Sequence, residues 1–141
     1  MESISTVLST LGSGLPVLLL HLVITFGLLL LGILIYQAVT PFHEIGLIRQ
    51  GNIAAAVVFL GALLGFAIPL AATLAVSLVA LDILLWGVVA VIVQIVTFIV
   101  VSRLVIKDMG HQIEGGNVAA GLTLLGIQIA VGLVNAGAMS G

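Results

Sequence analysis

Residues 83–101 read ILLWGVVAVIVQIVTFIVV and contain no charged side chain. A helix rises about 1.5 Å per residue, so about 20 such residues cross the roughly 30 Å hydrocarbon core of a bilayer. Polar and apolar residues do not alternate in this stretch, as they would in a strand of a membrane barrel. The stretch therefore predicts a transmembrane helix.

Three further stretches have the same length and apolar character, at residues 16–36, 53–72 and 118–138. All eight charged residues fall at the ends of these stretches or between them: Glu2, Glu44, Arg49, Asp82, Arg103, Lys107, Asp108 and Glu114. Residues 73–82 are too apolar for an ordinary loop, which indicates either a long, tilted second span or a segment in the interface. We predict an all-α integral membrane protein with four transmembrane helices in one membrane domain, residues 1–141.

The composition supports lipid as the solvent and excludes several functions. The chain is 62% hydrophobic and 6% charged, with a mean hydropathy of +1.49, whereas soluble domains are about 45–50% apolar and about 25% charged. There is no cysteine, and the net charge of −2 provides no basic surface for nucleic acid. His43, Glu44 and His111 lack the spacing of metal ligands. No nucleophile–base pair, carboxylate dyad or phosphate loop is present, so we expect neither an enzyme nor a bound cofactor.

The basic residues predict the orientation. Arg49, Arg103 and Lys107 all lie in or beside the loops that follow the first and third spans. The positive-inside rule then predicts that both loops lie in the cytoplasm and both termini outside. Residues 1–15 lack the positive charge that opens a secretory signal peptide, so we expect the first span to remain in the mature protein.

The two cytoplasmic loops resemble each other in sequence. Residues 48–55 (IRQGNIAA) align with residues 113–120 (IEGGNVAA), 65 positions later. This predicts two helix–loop–helix repeats, about 16–72 and 83–138, in parallel orientation about an axis along the membrane normal. In each repeat a glycine and an asparagine precede the second helix, as Gly51-Asn52 and Gly116-Asn117. They are interpreted either as helix caps or as a paired anion site at two helix N-termini.

The loops also contain short amphipathic patterns. Thr40-Pro41 predicts the start of a short helix with Phe42, Ile45 and Ile48 on one face. In the second loop, Ile106, Met109 or Gly110, and Ile113 have the same spacing. Both loops are expected to lie flat on the membrane interface, or alternatively to form a docking surface for a soluble partner.

Small residues in two spans indicate close helix packing. Gly61-x-x-x-Gly65 lies in the second span, and the fourth contains Gly126-x-x-x-Ala130 and Gly132-x-x-x-Ala136. Such spacing brings helix backbones together, either within one chain or between chains, and it predicts a homo-oligomer.

Polar residues within the spans need partners because hydrocarbon offers none. Gln94 and Gln128 lie near the middle of the third and fourth spans and could hydrogen-bond to each other. The other intramembrane polar residues are His21, Thr25, Thr97 and Asn135. They are interpreted as structural contacts between helices, or alternatively as a polar pathway in which Gln94, Gln128, Thr97 and His21 line a pore.

Several motifs are familiar. They are TPFHE (40–44), LIRQGNIAAA (47–56), LLGFAIPL (63–70), WG (86–87), Gln94, GNVAAG (116–121) and NA (135–136). Over about residues 16–139 the chain resembles the YjfL-like family of small bacterial inner-membrane proteins, a family best known as one of unknown function. The resemblance implies no catalytic residue. It does imply cytoplasmic partners, because genes of the family often lie near those for PspA-like membrane-stress proteins and ATP-grasp ligases.

Two functional hypotheses follow. In the first, the chain is a non-enzymatic, self-associating membrane component that presents its cytoplasmic loops to a membrane-associated protein. In the second, it is a small passive channel or permease whose polar pore is formed by the oligomer.

Overall fold

A computed structural model describes residues 3–141, so Glu2 lies outside the described part. The described chain forms six helices: α1 (Ile4–Val39), α2 (Glu44–Arg49), α3 (Ile53–Val76), α4 (Ala80–Leu104), α5 (Met109–Glu114) and α6 (Val118–Met139). Four of them, α1, α3, α4 and α6, are long and apolar enough to cross a membrane. The prediction of an all-helical protein with four long apolar helices is confirmed.

The first helix is longer than the predicted span. It begins at Ile4 instead of residue 16, and its 36 residues extend about 54 Å. The added segment contains hydroxyl residues that lower its hydropathy, but these hydroxyls bond back to the helix. Thr10 donates to the Thr6 carbonyl oxygen at 2.9 Å and Ser13 to that of Ser9 at 3.1 Å. Because the hydroxyls are satisfied locally, the helix continues through them.

The connection between the second and third spans is a tight turn. α3 continues to Val76 and α4 begins at Ala80, so only Ser77, Leu78 and Val79 lie between them. The second long helix therefore extends four residues beyond the predicted span, which agrees with the interpretation of a long second span.

α3 and α6 form the closest pair of helices, and glycines make their approach possible. A Cβ atom added at Gly61 would lie 2.7 Å from Leu125 Cα, and one at Gly132 would lie 3.0 Å from the Gly65 carbonyl oxygen. The small-residue contact predicted for the second span is thus made within the chain. Gly126 differs, since an added Cβ would meet nothing within 4 Å, and this position faces outward.

The remaining helices surround this pair. α1 packs against α3 and α4, and α4 packs against α3 and α6. The short helices α2 and α5 lie at the same end of the bundle, which we call the loop end. Near it an aromatic cluster fills the core: the Tyr36 ring meets Phe98 edge-on at 4.6 Å and Phe66 at 6.4 Å between centroids. Such edge-to-face pairs are favourable arrangements of aromatic rings.

Candidate functional site

Glu44, the first residue of α2, is a buried acidic residue. Its side chain is 2% exposed although sequence analysis placed it in a loop between spans. One carboxylate oxygen, Oε1, accepts a hydrogen bond of 2.5 Å from the hydroxyl group of Tyr36, which is itself 1% exposed. Tyr36 and Glu44 therefore form a buried acid–phenol pair beneath the first loop.

The environment of Glu44 favours its neutral form. The second oxygen, Oε2, accepts no hydrogen bond from any of residues 3–141. Burial raises the pKa of Glu44 from 4.5 to about 7, while the hydrogen bond from Tyr36 acts in the opposite direction by stabilising the ionised form. The carboxyl group can therefore gain or lose its proton close to neutral pH.

The path of the chain after α1 explains why Glu44 points inward. Thr40 ends α1, with its hydroxyl and its backbone N–H both donating to the Tyr36 carbonyl oxygen, and α2 begins only at Glu44, after His43. The prediction that Thr40-Pro41 starts the short helix is wrong, because Thr40 is used as a C-cap. Because α2 begins later than predicted, a different face of this helix points towards the bundle.

The predicted apolar face of the first loop is correspondingly wrong in part. Phe42 is buried but precedes the helix, and Ile45 is exposed. In the second loop the predicted face is present: Met109 and Ile113 are buried and Ile106 packs against the core.

A small cavity adjoins the pair at the loop end. Its volume is about 180 Å³, and it is lined by Gln37, Phe42, His43, Glu44, Ile45 and Gly46. The cavity is large enough for several water molecules. It provides a route by which a proton can reach the neighbourhood of Glu44.

On the inner side, glutamine side chains continue the polar region towards the middle of the bundle. Gln94 and Gln128 are each 1% exposed, and the Gln128 side chain lies close to the Tyr36 hydroxyl. The predicted bond between the two side chains is wrong: Gln94 Nε2 donates instead to the backbone oxygen of Gln128 at 2.9 Å. Gln94 Oε1 and Gln128 Nε2 form no hydrogen bond within the described part of the chain.

Gly65 explains the position of the Gln94 amide. A Cβ atom at Gly65 would overlap the Gln94 amide and lie 3.2 Å from the Gln128 carbonyl oxygen. The glycine assigned to helix packing therefore also makes room for a buried amide.

The other predicted intramembrane polar residues are not part of this region. Thr25 donates to the His21 carbonyl oxygen at 2.8 Å and Thr97 to that of Val93 at 2.9 Å, so both hydroxyls are satisfied within their own helices. Asn135 is buried and donates to the Ala90 carbonyl oxygen at 3.5 Å, which joins α6 to α4.

Asn52 and Asn117 each cap the helix that follows. Asn52 Oδ1 accepts from the Ala55 N–H at 3.0 Å, and Asn117 Oδ1 accepts from the Ala120 N–H at 3.2 Å. The preceding glycines adopt the left-handed conformation, with φ of 84° at Gly51 and 79° at Gly116. Glycine adopts this conformation without the steric cost that a side chain imposes.

The two caps differ in what their amide groups contact. Asn52 Nδ2 donates to the backbone oxygens of Ile113 at 2.8 Å and Glu114 at 3.2 Å, and so joins the start of α3 to the end of α5. Asn117 Nδ2 donates only to Gln112 Oε1 at 2.7 Å, within its own loop. The capping interpretation holds for both residues, and Asn52 alone makes the additional contact between the loops.

Neither the role of Tyr36 nor the burial of Glu44 was predicted from the sequence. One signal was present: the only tyrosine of the chain stands at the end of the first span, eight residues before an acidic residue in an apolar loop. Within residues 3–141 no group of three or more histidine, aspartate or glutamate residues is placed to hold a metal ion.

Comparisons with known proteins agree with this architecture. The family model described as Domain of Unknown Function (DUF350) matches residues 10–139. The UPF0719 inner membrane protein YjfL of Escherichia coli (strain K12) is 34% identical over 115 residues, which cover 81% of this chain and 86% of that protein. The protein of the same name from Escherichia coli O157:H7 matches equally well. No solved structure matches the chain. The chain belongs to the DUF350 family, which includes the YjfL inner membrane proteins.

Proposed function

We propose that the chain is a non-enzymatic inner-membrane protein whose two loops together form one platform for a membrane-associated protein partner. The platform consists of residues 40–52 and 105–117. The observation that carries this proposal is the pair of hydrogen bonds from Asn52 Nδ2 to Ile113 and Glu114. These bonds join two loops that are far apart in sequence into one surface.

Apolar packing supports the same interpretation. A Cβ atom at Gly110 would lie 3.6 Å from Pro41 Cγ, so α5 rests against the first loop. Met109 and Ile113 face the core. Most exposed side chains of the platform are polar or charged, namely His43, Arg49, Gln50, Lys107, Asp108, His111, Gln112 and Glu114, although Ile45 and Val105 are exposed as well. A largely polar surface on a buried apolar base suits a protein partner in water better than insertion into lipid.

The location follows from the relatives and from the charges. The Escherichia coli proteins are named inner membrane proteins, and we assign this chain to the same membrane. Arg49, Arg103 and Lys107 all lie at or near the loop end. By the positive-inside rule this supports our proposal that the platform faces the cytoplasm and that both termini lie outside.

The two halves are proposed to be parallel repeats about an axis along the membrane normal. The turn before α3 has bonds from Gly51 N to Ile48 O and from Asn52 N to Leu47 O, at 2.9 and 3.0 Å. The turn before α6 has the equivalent bonds, both at 2.9 Å, at positions 65 residues later. The shared bonding pattern supports a common ancestry of the two loops.

Self-association remains part of the proposal, but through another surface than Gly61 and Gly65. Those glycines are used within the chain, whereas Ala119, Gly126 and Ala130 on α6 are exposed and small. Lipid-facing small residues allow two helices to approach closely. The contact between copies is therefore proposed for the outer face of α6.

The passive-channel hypothesis has less support. Gln94 and Gln128 are buried among the helices of one chain, and Gln94 bonds to a helix backbone. They are consequently not available at a surface between copies. A pore between copies would have to be lined by His21, Thr97 and further residues that were not predicted to line it.

Site-specific photo-crosslinking in cells tests the platform. A photoreactive residue placed at Gln50 or Gln112, one in each loop, is expected to crosslink to the same protein. The matched control is Leu78, which is exposed in the turn at the opposite end of the bundle. Equal capture from Leu78, or capture of unrelated proteins from the two loops, would contradict a shared platform.

A further inference from the structure

α2 contacts the bundle through a buried acidic residue. The helix is six residues long, and its one buried residue is Glu44. The two neighbours that face the core, Leu47 and Ile48, are only partly buried. We propose that Glu44 is a proton-binding site and that the loss of its proton releases α2 from the bundle.

The groups that face Glu44 leave its charge without compensation. From α1 it meets the Tyr36 hydroxyl, which is a neutral hydrogen-bond donor. The helices α3 and α6 contain no titratable residue. The charged or titratable residues on the nearby elements are all exposed: His43, Arg49, Arg103, Lys107, Asp108, His111 and Glu114. Among residues 3–141, therefore, no cation neutralises an ionised Glu44 from within the bundle.

The protonated and ionised carboxyl groups have different requirements. A neutral carboxylic acid fits a site with one hydrogen bond and apolar walls, whereas an ionised carboxylate needs several donors or water. Only Oε1 has a donor, and Oε2 has none. Because burial places the pKa of Glu44 at about 7, the carboxyl group ionises near neutral pH.

Ionisation is expected to move Glu44 outward. The proton leaves the carboxyl group for water, and the adjoining cavity of about 180 Å³ is the nearest space for that water. Since Glu44 is the first residue of α2, a carboxylate that turns to solvent takes the start of the helix with it. This inference does not depend on the partner proposed for the platform.

Cysteine labelling in liposomes tests the proposal directly, because the natural chain contains no cysteine. The probe is Leu47→Cys, half-buried on α2, and the reference is Gln50→Cys, exposed at its end. The ratio of their alkylation rates cancels the intrinsic increase of thiol reactivity with pH. Proton linkage predicts that this ratio rises about tenfold between about pH 6 and about pH 8.

Three variants distinguish deprotonation of Glu44 from a general loss of helix packing at high pH. Glu44→Gln should abolish the rise, and Glu114→Gln, at an exposed glutamate on α5, should leave it unchanged. Tyr36→Phe removes the hydrogen bond that lowers the pKa of Glu44, so the rise should move to higher pH. A flat ratio in the parent, or the same rise in Glu44→Gln, would overturn the proposal. If the midpoint of the pH-dependent rise in the labelling ratio were the same in Tyr36→Phe as in the parent, the proposal would also be contradicted. This test holds even if Glu44→Gln fails to fold.

Discussion

Replacing Glu44 by glutamine preserves the shape of the buried side chain and removes its titration. In the parent protein the folded state keeps the proton of Glu44 up to about pH 7, whereas the unfolded chain loses it near the ordinary pKa of 4.5. An acid whose pKa is raised by folding stabilises the folded state at low pH. That contribution is present in full below about pH 4.5 and is lost as the pH rises towards about 7.

The magnitude follows from the difference between the two pKa values. A difference of about 2.5 pKa units at about 1.36 kcal/mol each corresponds to about 3.4 kcal/mol over the whole range. Between about pH 5 and about pH 8 the loss in free energy of unfolding amounts to about 2.5 kcal/mol. The free energy of unfolding of Glu44→Gln should not fall in this way. Relative to the parent, the variant should therefore become more stable by about 2.5 kcal/mol between about pH 5 and about pH 8.

Reversible unfolding in mixed detergent micelles measures this difference at each pH. The matched control is Glu114→Gln, because Glu114 is an exposed glutamate at the same end of the bundle. It should follow the pH dependence of the parent. If the parent and Glu44→Gln change in parallel between the two pH values, then the ionisation of Glu44 does not oppose folding and the reasoning fails.

Two further predictions concern the caps and the glycines. Asn52→Asp keeps the oxygen that caps α3 but loses the amide that joins the loops, so it should lower the free energy of unfolding by about 1–3 kcal/mol. The control Asn117→Asp should lower it much less. Equal melting temperatures of the two variants would contradict the hydrogen bonds between the loops. Gly65→Ala introduces a Cβ atom that overlaps the Gln94 amide and should cost about 1–3 kcal/mol. The matched control is Gly27→Ala in α1, at an exposed position where an added Cβ meets nothing within 4 Å. It should be at least as stable as the parent, and a loss there as large as that at Gly65 would refute the packing.

The four long helices could be predicted because lipid imposes strict requirements. A chain in hydrocarbon must satisfy its backbone within the helix and must be long enough to cross. The starts of α3 and α6 were predictable as well, since Gly51-Asn52 and Gly116-Asn117 are local signals that need no tertiary contact. The start of α1 was not, because hydropathy falls in a segment whose serine and threonine hydroxyls bond to their own helix.

The candidate site could not be predicted from the same signals. A charge in a hydropathy profile indicates the end of a span, so Glu44 was assigned to a loop surface. Its burial depends on the turn at residues 40–43, which reverses the chain and brings Glu44 under Tyr36. The contact of Gln94 likewise depends on Gly65 of a different helix, and hydropathy or spacing along one helix does not reveal such pairs.

The protonation state of Glu44 in the folded protein tests the central claim most directly. Infrared difference spectra of the protein in lipid, recorded across the neutral pH range, report the carbonyl band of a protonated carboxylic acid. Burial of Glu44 predicts a band that persists to about pH 7, disappears above it and is absent from Glu44→Gln. A parent whose spectrum matches that of Glu44→Gln throughout this pH range, with no carboxylic acid band that the variant lacks, would contradict the buried site.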